Sequence, residues 1–313
     1  MTNDSQHLEL IASFGLDSKR IDVPGGVLHV VSSGDTSKET IVFLHGYPDS
    51  ARVWFETMQK LALQYHVVTF DLRGVGLSRP VRSGADYLID RLLPDIEAVI
   101  NATAGEHAKV HLVGHDWGST IGWSFVTHPE FGLRVLSWSS MSGPHLGMWM
   151  NWGIEAFKSF APGRIAAVVR QLFKSSYVLF LVAFPIPALI WRIFHVKLWR
   201  MILRFAGVPQ DDPMLEESQT KVLSMAIAPM SLYRRNIIHP PAVPARSSFH
   251  IPTLLFIPEG DNFVTPASFD NVEDYATNVT VRRVDGFHWA QRSHNDIFVR
   301  EIGNFIESTR RNI

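Results

Sequence analysis

Apolar runs four or five residues long recur along the first half of the chain, at 27–31, 40–44, 66–70, 110–113 and 135–138, each bounded by turn residues. Runs this short and this continuously apolar fit strands that are covered on both faces, as in a parallel sheet. Between them, residues 51–62, 87–102 and 119–127 carry the longer mixed pattern of helices packed against such a sheet. The first run is equally open to pairing antiparallel in an N-terminal hairpin. After Ser142-Gly143-Pro144 the pattern changes. For about a hundred residues, long apolar and basic helical segments follow one another, and the next strand-like run is at 252–257, after the proline-rich stretch 239–244. A further run at 279–284 and a helical pattern at 295–308 complete the chain. The expected fold is α/β: a mostly parallel sheet with helices on both faces, built from residues 1–143 and 241–313, with a helical cap inserted at 144–240.

Composition narrows this picture. The 313 residues are 46% hydrophobic and include nine Trp and 20 Phe, enough to fill a large core. With 29 basic and 30 acidic side chains, the overall balance gives no general electrostatic footprint for nucleic acid or for acidic lipid, so no polyanion partner is implied. There is no cysteine, so disulfides, thiolate metal ligands and a cysteine nucleophile are excluded. The polar start Met1-Thr2-Asn3-Asp4-Ser5-Gln6-His7 has neither the basic nor the apolar region of a secretory signal, so a cytoplasmic location is expected. The charge-free segment from Ser175 to Trp191 approaches the roughly 20 residues of a membrane span. Pro185 and Pro187 interrupt it, and Arg192, Lys197, Arg200 and Arg204 follow it. It is therefore expected to form a buried or pocket-lining helix pair, with peripheral membrane contact as the alternative.

The candidate chemistry centres on Gly114-His115-Asp116-Trp117-Gly118, directly after an apolar run. Its two glycines frame a sharp strand-to-helix turn of the G-x-S-x-G type, but Asp116 stands where that motif has serine. An ionised carboxylate needs no base to attack, and it can displace a leaving group from saturated carbon. The substrate class this favours is an epoxide or an alkyl halide rather than an ester. An ordinary N-cap aspartate is the structural alternative. Leu44-His45-Gly46-Tyr47-Pro48 follows the second run and suits an oxyanion hole, with the amides of Tyr47 and Trp117 as donors. Among 14 histidines, His288 in Asp285-Gly286-Phe287-His288-Trp289 is the preferred base, ahead of His294, while His115 reads as scaffold. Asp261, on the loop after 254–257, is preferred to Glu259 as the acid that orients the histidine.

These motifs, with Asp71-Leu72-Arg73-Gly74-Val75-Gly76-Leu77-Ser78, stand in the order found in the epoxide hydrolases of the α/β-hydrolase fold, which the chain resembles over nearly its whole length. The resemblance implies that two cap tyrosines hold and protonate the epoxide oxygen, and it points to Tyr177 and Tyr233. The chain departs from the family pattern at Val182, where glutamine is frequent. The activity implied is conversion of an apolar epoxide to a vicinal diol through an ester on Asp116, which His288-activated water then cleaves. No cofactor or metal is expected, the partners are substrate and water, and the chain is expected to be a monomer or homodimer. The alternatives are haloalkane dehalogenation, in which an asparagine commonly replaces Tyr47, and a non-catalytic relative that binds an apolar ligand. His111 and Asp116 share the spacing of an H-x4-D acyltransferase motif, but His111 falls inside a strand. Gly74-Val75-Gly76 is too short for a dinucleotide fingerprint.

Overall fold

The alternation of apolar runs and helices is realised in a computed structural model that describes residues 3–79 and 83–311, so Met1 and Thr2 of the polar start lie outside it. Its strands are β1 (Asp17–Val23), β2 (Gly26–Ser33), β3 (Thr40–Leu44), β4 (His66–Phe70), β5 (Val110–His115), β6 (Val135–Met141), β7 (Thr253–Pro258) and β8 (Val279–Val284). They form one sheet in the order β1-β2-β4-β3-β5-β6-β7-β8. β2 runs antiparallel to both β1 and β4, and the remaining pairs are parallel. The N-terminal hairpin is thus the antiparallel option left open above. β1 carries no apolar run for the pattern to detect: its sequence, Asp-Ser-Lys-Arg-Ile-Asp-Val, belongs to an exposed edge strand. The other edge, β8, turns Arg282 and Arg283 to solvent.

The helices of the core are α1 (Asn3–Ser13), α2 (Phe55–Leu61), α3 (Ile89–Thr103) and α4 (Trp117–Thr127). Between β6 and β7 come α5 (Leu146–Lys158), α6 (Pro162–Lys174), α7 (Tyr177–Val182), α8 (Ile186–Phe205), α9 (Gln219–Ala226) and α10 (Ser231–Asn236). After β8, α11 (Ala290–Ser293) leads into α12 (Asn295–Arg310). The segment expected to be one helix over 51–62 opens instead with a 3-10 turn at Ala51–Trp54, where the Ser50 hydroxyl accepts from the Arg52 amide. α2 packs with α12, and α3 with α4, so both faces of the sheet are covered. β3, β4 and β5 are buried throughout, and the polar side chains within them are hydrogen-bonded, as Thr40 is to His66 and His111 to Ser137. Trp138 of β6 fills the space left by two glycines, since a side chain at Gly114 or Gly122 would collide with its ring.

The Ser175–Trp191 segment forms α7 and the start of α8, and the expectation that it is buried holds for one side only. Leu181 and Trp191 are buried, but Leu179, Phe184, Ile186 and Leu189 are 56–74% exposed. A charge-free sequence does not reveal which apolar side chains face the core when a helix pair is only one layer thick. Among the described residues no helix is long and apolar enough to cross a membrane.

Candidate active site

β3 and β5 are neighbours in the sheet, but the chain leaves β3 toward β4 on one side and continues from β5 toward β6 on the other. At such a switch point the loops beyond the strand ends part and leave a crevice. Tyr47 follows β3 there and Asp116 follows β5. Asp116 has φ 53° and ψ −123°, in the left-handed half of backbone space, and its amide donates to the Met141 carbonyl at 3.0 Å. This strained turn needs room on both sides. A Cβ on Gly118 would lie 2.2 Å from the Leu44 carbonyl oxygen, and one on Gly46 would lie 2.5 Å from the Asp116 side chain. The close approach brings the Tyr47 amide to 2.7 Å from Asp116 Oδ1, to which it donates. Trp117 begins α4, so its amide has no acceptor within the helix.

Asp261 and His288 come from the loops after β7 and β8. His288 Nδ1 lies 3.0 Å from both Asp261 carboxylate oxygens, and its Nε2 is 3.5 Å from Asp116 Oδ2. Burial works against a charged imidazole, but the carboxylates of Asp261 and Asp116 outweigh it and push the His288 pKa up to about 10. Asp261 is itself disfavoured as an anion by burial, yet His288 and the amides of Val264 and Phe263 hold it below the usual carboxylate range. Glu259 points elsewhere, to within 3.8 Å of Arg283, and is exposed. His294 contacts Ser293, and His115 lies beneath the site, its Nε2 3.0 Å from the His288 carbonyl.

The remaining motif residues brace these loops. Asp49 Oδ2 accepts from the Trp289 indole at 3.0 Å, tying the loop after β3 to the loop after β8. Burial raises its pKa to about 7 despite that bond. Asp71 accepts from the amides of Ala51 and Leu77 and pairs with His29, which fastens the loop after β4 beneath the same crevice. His7, His29 and Asp71 form the one group among the described residues with the spacing to hold a metal, away from Asp116 and next to α1. That role is opposed by Lys221, whose ammonium sits 3.0 Å from His7 Nδ1.

The cap supplies the other wall. Tyr177 begins α7 and Tyr233 lies in α10, their rings edge-on with centroids 6.2 Å apart. Burial, reinforced by the Asp116 carboxylate, lifts both phenols well above their ordinary pKa of 10, so they stay protonated donors. Two cavities meet between these phenols and Asp116. One, of about 330 Å³, is lined by Phe180, Leu181, Trp191, Phe263 and His288 among others, and the second, of about 440 Å³, extends under α5 and α6. Their size and apolar walls with a few convergent polar groups suit a small apolar ligand. Sequence reasoning missed Phe263, whose ring meets both His288 and Tyr177, at 4.9 Å and 5.3 Å. It also missed Gln171 of α6, which pins the Asp261 loop by accepting from the Thr265 amide and donating to the Phe263 carbonyl. Neither sits in a motif, so local sequence offered no signal for them.

Residues 39–179 match the α/β hydrolase fold family. A solved epoxide hydrolase from Bacillus megaterium, in complex with an inhibitor, superposes over 92% of this chain and 100% of that one with a TM-score of 0.75 at 24% identity. The chain has the α/β-hydrolase fold. Epoxide hydrolase 4 of Mus musculus is 27% identical to it over 306 residues, covering 93% of this chain and 80% of that protein. The probable oxidoreductase EphD of Mycobacterium tuberculosis is 26% identical over 302 residues. The chain spans about half of that longer protein, 49% of its length. The sequence similarity to epoxide hydrolase 4 thus extends over both the sheet and the helices inserted between β6 and β7.

Proposed function

We propose that this α/β-hydrolase converts an apolar epoxide to its vicinal diol through an ester on Asp116. The observation that carries the reading is an aspartate at the strained turn, one oxygen held by the Tyr47 amide, facing two protonated phenols across an apolar cavity. Asp116 Oδ2 attacks a ring carbon, the C–O bond breaks, and the departing oxygen takes a proton from Tyr177 or Tyr233. The phenol recovers a proton as the His288 imidazolium gives one up. That release is favoured because Asp116, now an uncharged ester, no longer helps to hold the imidazole proton.

Neutral His288, oriented by Asp261, then takes a proton from water, and the hydroxide attacks Cγ of the ester. Charge builds on Oδ1, where the Tyr47 amide already points and the Trp117 amide is the second donor. One such donor contributes about 3 kcal/mol to the transition state. Collapse breaks the Cγ–Oδ2 bond, the departing oxygen takes the proton held by His288 to give the diol, and the carboxyl left on Asp116 passes its own proton back to His288. The relatives named as epoxide hydrolases support this reading. Dehalogenation fits less well, because a departing halide needs no proton and these phenols are placed to supply one.

The test is His288→Gln. It is expected to leave ring opening and to stop ester cleavage, so that intact-protein mass spectrometry shows an adduct of one substrate mass, while Asp116→Ala shows neither adduct nor turnover. Diol formation by Asp116→Ala at the native rate would exclude the scheme.

A further inference from the structure

We propose that the outer face of the cap docks on an anionic lipid bilayer. Between Glu155 and Asp211 the chain carries no acidic residue and eight lysines or arginines, although its net charge is only −1, so the rest of the molecule is negative. Within this stretch the outward side chains of α6, α7 and α8 are apolar to an extent unusual for a surface facing water. Phe173, Leu179, Phe184, Ile186, Leu189 and Ile193 are 56–80% exposed. Ile186, Leu189 and Ile193 stand at i, i+3 and i+7, one row along the outside of α8, with Arg192 exposed beside them. Beyond a kink at His195, Lys197, Met201, Arg204 and Phe205 repeat the mixture, all exposed. At the other end of the patch the Arg234 guanidinium lies 4.6 Å over the Phe184 ring.

An apolar patch of this extent marks an interaction surface, and its charge selects the occupant. Aromatic and aliphatic side chains interspersed with cations are suited to sink into the headgroup boundary of a membrane whose lipids are negative. A second copy of the chain fits poorly, since a twofold contact would set this cationic face against itself. The patch is also continuous with the cavities. Phe180 is 40% exposed and lines the first, while Leu172 and Leu179, 49% and 74% exposed, line the second. A ligand dissolved in lipid would therefore meet the mouths of both cavities without crossing water.

The experiment is flotation of the full chain with vesicles of phosphatidylcholine alone or phosphatidylcholine mixed with phosphatidylserine. Binding is expected on the mixed vesicles and to fall with added salt. It is expected to weaken by about tenfold or more in Arg192→Glu/Lys197→Glu, which reverses two of the cations. Leu189→Ser/Ile193→Ser is expected to reduce it as well, with the thermal unfolding transition of both variants unchanged. Equal binding to neutral and mixed vesicles would overturn the proposal. So would absence from both kinds of vesicle; a dimer in sedimentation velocity that Leu189→Ser/Ile193→Ser dissociates would then assign the patch to a second copy instead. Because the readout is binding, it is independent of the reaction proposed above.

Discussion

At the scale of single residues, the two oxygens of Asp116 are not equivalent. Oδ1 is held by the Tyr47 amide, while Oδ2 faces His288. In the proposed scheme Oδ2 forms the bond to substrate and leaves in the diol, water replaces it, and Oδ1 never departs. After many turnovers in heavy-oxygen water, a peptide containing Asp116 is expected to carry one heavy oxygen atom by mass spectrometry. Incorporation of two would mean that the carboxylate turns over between cycles, in conflict with the hold of the Tyr47 amide. The nucleophile, base and acid candidates were legible because each lies in a short motif directly after a strand, where neighbours in sequence fix the surroundings. Tyr177 and Tyr233 came only through the family resemblance, since a lone helix tyrosine has no local mark of its role. Phe263 and Gln171 were not legible, because what defines them is contact between loops and helices about 90 residues apart.

At the scale of elements, the packing of the turn between β5 and α4 against the end of β3 sets the position of the nucleophile. A methyl group on Gly118 would meet the backbone of Leu44, which cannot yield as a flexible side chain can. Gly118→Ala is therefore expected to cost about 3 kcal/mol, the upper part of the range for overpacking, measured from urea denaturation midpoints. A loss below about 0.5 kcal/mol would mean that the two loops move apart freely. The parallel strands β3 to β7 were readable because burial on both faces demands short, mostly apolar runs. β1 was not, because an edge strand satisfies its exposed side with charge, and the two-faced character of α7 and α8 was hidden by a sequence apolar all round.

At the scale of the molecule, an ionic network joins core to cap. Arg292 of α11 pairs with Glu56 of α2 and with Asp212 of the loop after α8, and Glu56 also pairs with Arg52. Burial opposes the charge on Glu56, but Arg52 and Arg292 prevail and lower its pKa from 4.5 to about 2. A depressed carboxyl pKa contributes stability that is complete above the unfolded value and disappears as pH falls through the folded one. The stability difference between the native chain and Glu56→Gln is thus expected to be largest above pH 4.5 and to close toward pH 2, followed by thermal denaturation across that range. A difference unchanged with pH would show that Glu56 acts by packing alone. The sheet itself has a further consequence at this scale. With Lys19 and Arg20 on one margin and Arg282 and Arg283 on the other, neither border offers a bare ladder for a neighbouring molecule to extend. Overheated or crowded material should accordingly clump without order through its greasy roof, leaving fibre growth to chains that have already lost the fold.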